Sequence, residues 1–245
     1  MLDRLLNRLR NRTQNACFCT LAIHAPYRRR AQQLLADVPS AHWIVLTDEP
    51  DDFASLPVHA IRHMPTGPMA IDFQTKLPPT GKGQGRPAYH DKRFVLQAAL
   101  KDFDTAIFVD ADSRMKRLPA LPLFRPGIAV DKALRASISE HLSRYGPGRK
   151  PAFEQLALRL TGDAGALNSA RWCSEALFAV TKDGNESRFF DAWAIGADFL
   201  NGQGLFTGEG GVIGLAALSV GWTVDYKRIG KLVAVTEHEG HGPKS

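Results

Sequence analysis

No stretch of this chain approaches the ~18 consecutive apolar residues that a membrane-crossing helix requires, and its opening residues have no apolar core of signal-peptide type. The expectation is a cytoplasmic protein. Cysteine is scarce: Cys17, Cys19 and Cys173 are an odd number, which excludes a disulfide framework. Cys17 and Cys19 fall on one face of a strand pattern, but no second cysteine pair completes a zinc site, so they read as core thiols. Helix-turn-helix, zinc-finger and aromatic–basic ribonucleoprotein signatures are missing, so nucleic acid is not an expected partner despite a net charge of +6. Internal repeats and a clean linker are missing too. The 245 residues suit one α/β domain over 15–245, preceded by a basic segment at 1–14.

In that first segment Leu2, Leu5, Leu6 and Leu9 make one helical stripe between Arg4, Arg8, Arg10 and Arg12. Such a helix can lie on an anionic membrane at its inner face; packing on its own domain or on a partner is the competing reading. Asn15 to Ala25 reads as a strand, Tyr27 to Val38 as a helix, His42 to Thr47 as a second strand and Pro57 to Arg62 as a third. That is the βαβ pattern of a mostly parallel sheet flanked by helices. From Met64 to Pro87, prolines and glycines break every periodicity, as in a flap beside a site. Asp91 is placed to N-cap a helix running to Asp102, with Lys92 and Arg93 in a first turn where cations oppose the helix dipole. A cation there either meets an anion or snorkels at the surface. Later elements are a strand at Ile128 to Val130, helices from Leu134, Phe153 and Arg188, a strand from Trp172 to Thr181, a helix from Val212 to Val220, and two strands near Thr223 and Leu232 to Val235.

The chain is organised around Thr105-Ala-Ile-Phe-Val-Asp110-Ala-Asp112-Ser113. An apolar strand ends in two carboxylates two residues apart. Side chains at i and i+2 share a strand face, so Asp110 and Asp112 are expected to converge where open α/β sheets bind ligands. Two like charges there call for a raised pKa or a cation between them, and hard oxygens suit Mg²⁺ or Mn²⁺. A solvated turn is the plainer alternative. Glu209, among glycines at a helix start, either faces a ligand or merely caps. Glu175, inside an apolar strand pattern, needs a partner. His24 ends the first strand, and His238, His241 and Lys244 crowd the last residues.

With those residues in view, Phe108-Val-Asp-Ala-Asp-Ser113 resembles the Asp-X-Asp motif of GT-A glycosyltransferases, and His238 to Lys244 resembles the His-x-x-Gly-x-x-Lys end of family 8, with the glycine displaced. The Trp172 to Val180 strand and the Gly208-Glu209-Gly210 turn resemble the acceptor side of family 6, and Tyr89-His-Asp-Lys-Arg resembles a nucleotide-holding helix start. The resemblance implies a single GT-A (Rossmann-like) domain in which Asp110, Asp112 and His238, or His241 in its place, ligate Mn²⁺ or Mg²⁺. It implies nucleotide-sugar contacts from His24, Asp48, Lys92, Asp110, Ala111 and Lys244, with Glu209 and Glu175 as the catalytic carboxylates. The activity implied is transfer of a hexose from a nucleotide-diphosphate sugar, UDP-linked by expectation, to a hydroxyl acceptor that is a glycan, lipid or small molecule, with retention of configuration.

Two other readings stand beside it. A haloacid-dehalogenase-like phosphatase also uses a strand ending in Asp-x-Asp, but Arg114 stands where that group has Thr or Val, and no later Asp-Asp pair ends a strand. A non-catalytic basic membrane-associated binding module would need neither Asp110 nor His238.

Overall fold

The computed structural model describes residues 15–66, 89–131, 135–205 and 208–238, as an α/β protein built on six strands. Strand β1 (Ala16–Ala22) pairs in parallel with β2 (Trp43–Thr47) and with β4 (Thr105–Val109), and β2 pairs in parallel with β3 (His59–Arg62). Beyond β4 the direction reverses in β7 (Leu177–Thr181) and reverts in β6 (Gly127–Val130), giving the order β3-β2-β1-β4-β7-β6. The architecture is thus a mostly parallel sheet flanked by helices, compatible with a Rossmann-like fold.

Why these runs form strands follows from what covers them. The residues of β2, β4 and β7 are all buried, so each reads as a continuous apolar run, as strands covered on both faces do. Their period of two divides the core. Cys17, Cys19, Ile44, Leu46, Ala106, Phe108, Phe178 and Val180 face helices α2 (Lys92–Asp102), α5 (Glu186–Gly202) and α6 (Glu209–Ser219). Phe18, Trp43, Val45, Ile107, Val109, Leu177 and Ala179 face α1 (Ala25–Asp37) and the short α7 (Gly230–Val233). Helices α3 (Ile138–Tyr145) and α4 (Lys150–Thr161) complete the α2 side, with Ile138, Leu142, Phe153 and Leu156 in its core. Inside the sheet Thr105 and Thr181 are matched hydroxyl to hydroxyl at 2.9 Å across β4 and β7.

Several boundaries differ from the expectations. Residues 172–176 are not strand: the chain bends there and β7 begins at Leu177, so Glu175 lies outside the apolar strand. Leu232 to Val235 is not strand either; Gly230–Val233 is a helical turn packed under the sheet by Leu232. The strand expected near Thr223 reduces to a single bridge between Asp225 and Ala129 at the free edge of β6. Asp91 donates no side-chain cap to α2, because a 3₁₀ turn (Tyr89–Asp91) leads straight into it and the carboxylate is taken by His63 and Thr66. A small antiparallel pair was not foreseen: β5 (Ser113–Met115) pairs with β8 (Thr236–His238).

Candidate functional site

In an open α/β sheet the ligand crevice lies beyond the strand C-termini, where the strand order changes direction. Here that point falls between β1 and β4, whose crossovers leave on opposite faces: α1 follows β1 on one side and α2 precedes β4 on the other. His24, two residues past the end of β1, has φ 70° and ψ 147°. That backbone region is almost confined to glycine, and a residue held there stores about 1–3 kcal/mol. Its backbone N–H donates to both oxygens of Asp48 at 3.2 and 3.1 Å, which fastens the β1–α1 corner to the end of β2. Arg28 closes the corner by donating to Asp48 at 2.7 Å and Asp52 at 2.6 Å. Tyr27 lies half exposed beside it.

At the end of β4 the two aspartates stand on a turn rather than on the strand itself. The strand stops at Val109, and the chain turns through residues 110–113, with Ser113 N–H donating to Asp110 C=O at 3.0 Å. Strand alternation no longer applies on a turn. Asp110 meets Lys92 Nζ at 3.3 Å, whereas Asp112 faces Arg30 Nη1 at 3.6 Å. Among the described residues no three His, Cys, Asp or Glu side chains converge as a metal cluster. Two hard carboxylates of suitable chemistry do stand on one turn, and the β5–β8 register sets the backbone of His238 opposite Ser113, the residue after Asp112. The ladder thus carries residues 236–238 back to the turn. Lys244, His241, residues 1–14 and residues 67–88 lie outside the described residues.

The densest chemistry lies one step further along the crevice. Lys92 is expected either to meet an anion or to snorkel; its side chain is only 5% exposed, and the anions are the protein's own. Nζ donates to Glu209 Oε1 at 3.1 Å, to Asp110 Oδ2 at 3.3 Å and to the Glu175 carbonyl at 3.0 Å. Burial works to lower the lysine's pKa, but Asp110, Glu209 and Glu175 outweigh it and hold the pKa above its ordinary value.

Glu209 is the first residue of α6 after Gly208, where its charge complements the dipole. The next residue must be glycine. A Cβ at Gly210 would lie 2.3 Å from the Cys173 carbonyl and 2.7 Å from Glu175 Oε1. That closeness lets Gly210 N–H donate to Glu175 Oε1 at 2.8 Å, while Cys173 N–H donates to the Gly210 carbonyl at 3.1 Å. Burial first, then the charge of Glu209, pushes the Glu175 carboxyl up to about 8, so at neutral pH it carries a proton.

Three neighbours enter the sequence reading only through the Tyr89-His-Asp-Lys-Arg helix start, with Asp91 as its N-cap, and not as site residues. Tyr89, half exposed, has its hydroxyl pKa raised by burial and then by Glu209. His90 accepts from Trp193 Nε1 at 3.1 Å through Nδ1, so its proton sits on Nε2, which is buried without a partner among the described residues. Burial drives its pKa down to about 4 and keeps the ring neutral. Asp91 accepts from His63 at 3.0 Å and from Thr66 N–H at 2.9 Å. Burial opposes its charge, and these donors outweigh burial to lower its pKa. Proximity to the Asp-X-Asp segment in Tyr89-His-Asp-Lys was the available signal, yet no spacing rule distinguishes a buried ring from an exposed one.

No family model matches the chain, and no curated protein matches it. Among the described residues no helix is long and apolar enough to cross a membrane. The reading of the site therefore rests on its geometry.

Proposed function

We propose that this chain is a glycosyltransferase of GT-A type, moving a hexosyl unit from a nucleotide-diphosphate sugar to a hydroxyl acceptor. What carries the reading is the contact through Lys92, which ties Asp110 at the end of β4 to Glu209 at the start of α6 within 3.3 Å of one ammonium. One carboxylate belongs to the turn where a diphosphate would depart, and the other lies where a sugar ring would rest.

Breaking the anomeric bond gives the departing diphosphate negative charge and the ring oxocarbenium character, as in glycoside hydrolysis. Glu209 meets the positive charge on the ring from one face, which accords with retention of configuration. Glu175, protonated at neutral pH and accepting from Gly210 N–H, does not repel Glu209, which is left to meet the ring. Tyr27 and Tyr89 offer exposed ring faces beside His24 and Glu209, suited to stacking against a base or sugar. Asp110 and Asp112, with His238 as the third residue, would hold Mn²⁺ or Mg²⁺, which when bound neutralises the diphosphate as a Lewis acid. A UDP-linked donor is the first to test; the acceptor is a glycan, lipid or small molecule bearing a free hydroxyl.

The test uses thermal unfolding of the full chain. Mn²⁺ with UDP should raise Tm by more than either alone, as linkage requires when both bind only the folded state. Asp112→Asn should abolish the extra shift and leave the apo Tm within about 2 °C, since it keeps the side chain's volume and a 3.6 Å ion pair with the exposed Arg30 is worth little. A shift that survives the substitution removes Asp112 from the site. A wild-type chain that hydrolyses no nucleotide sugar and is stabilised by none removes the reading itself.

A further inference from the structure

An ammonium group has three N–H donors and no acceptor. Those of Lys92 have three protein acceptors from three separate parts of the fold: Asp110 Oδ2 after β4, the Glu175 carbonyl before β7 and Glu209 Oε1 on α6. The Phe108 ring lies beneath, its centroid 5.0 Å from Nζ, and shields the ammonium on the sheet side. Lys92 is a first-turn residue of α2, where the helix dipole disfavours a cation, so the carboxylates are what keep it there. A diphosphate oxygen would have to displace one of these acceptors before Lys92 could bind it.

Glu209 is held at both ends. Its main chain is fixed by the exchange between Gly210, Glu175 and Cys173, and its carboxylate by Lys92. We propose that Lys92 is a positioning residue, which holds the buried Glu209 carboxylate beside Asp110, and that it acts on the reaction through Glu209 rather than by touching the donor. The kinetic half of this inference rests on the glycosyltransferase reading; the structural half does not. Tyr89 and His90, from the turn before α2, are the other titratable groups beside Lys92.

The experiment is a double-mutant cycle on the full chain at one pH and salt concentration, with Lys92→Met, Glu209→Gln and the pair. Removing one partner of a buried ion pair strands the other, so Lys92→Met should lower Tm by roughly 10 °C. The double variant should recover several degrees of that loss, because no stranded glutamate remains; where the single variant does not fold, folding of the double variant gives the same answer. Additive losses, or a double variant no more stable than Lys92→Met, overturn the coupling. On a nucleotide-sugar substrate, Lys92→Met should lower kcat about 100-fold, the effect of a misplaced reacting group, and leave the donor KM within about threefold. A raised KM with kcat preserved would mean that Lys92 binds the donor directly and would overturn the positioning role. If the wild type turns over no nucleotide sugar, the glycosyltransferase reading falls and the stability cycle alone judges the hold of Lys92 on Glu209.

Discussion

Glu175 and Glu209 are chemically the same residue type in the same cluster, yet their surroundings divide the work. Glu209 has the Lys92 ammonium at 3.1 Å; Glu175 accepts the backbone N–H of Gly210 and lies half-buried beside Glu209. Burial therefore raises the Glu175 pKa to about 8 from an ordinary 4.5. Between those values the native state keeps a proton that the unfolded chain has released, so stability must fall as pH rises through that window. Glu175→Gln keeps an acceptor for Gly210 and removes the titration. The variant should lose about 5 °C less than the wild type between pH 5 and pH 8 in thermal unfolding. Parallel curves would show that Glu175 ionises in the fold as it does in water. The sequence marked this residue by the right logic, a carboxylate in apolar surroundings, although the apolar strand it was placed in begins two residues later, at Leu177.

Among the elements, α6 shows what sequence pattern conveys and what it conceals. Its glycines look like helix breakers, yet Glu209–Ser219 is helical and almost wholly buried. Close approach explains them: a Cβ on Gly214 would lie 1.9 Å from the Arg171 carbonyl, a fixed backbone atom. Alanine favours helix over glycine by about 1 kcal/mol, but overpacking against backbone costs about 1–3 kcal/mol or more. The clash wins. Gly214→Ala should lower stability by about 2 kcal/mol in urea unfolding; a neutral result would mean that the 171–175 segment yields easily. Strands β1, β2 and β4 were legible from their apolar runs, because burial on both faces needs only local composition. The misplacements at 172–176 and 232–235 share a cause: apolar residues buried by tertiary packing look alike whether the backbone is extended, bent or helical.

In the whole molecule the sheet's change of direction lies beside the Asp110 turn, and Lys92 ties that turn to the start of α6. Its least expected piece is the β5–β8 ladder, which returns the chain's last described residues to the Asp112 turn. Removing residues 237–245 should leave the six-stranded sheet intact by circular dichroism and weaken UDP binding in the presence of Mn²⁺ by about tenfold or more, as loss of a ligand and its supporting strand implies. Affinity unchanged in titration calorimetry would detach His238 and Lys244 from the site.

Sequence alone determined the βαβ start of the sheet, the strand ending in Asp110-Ala-Asp112 and the suspicion attached to Glu175 and Glu209, because alternation and the cost of buried charge act locally. Only the tertiary structure decided which cation each aspartate meets, Lys92 at Asp110 and Arg30 at Asp112. It alone joined Lys92 to Glu209 across 117 positions and set position 238 against Ser113. Partners so distant along the chain are chosen by packing and charge neutralisation in three dimensions, which no spacing rule encodes.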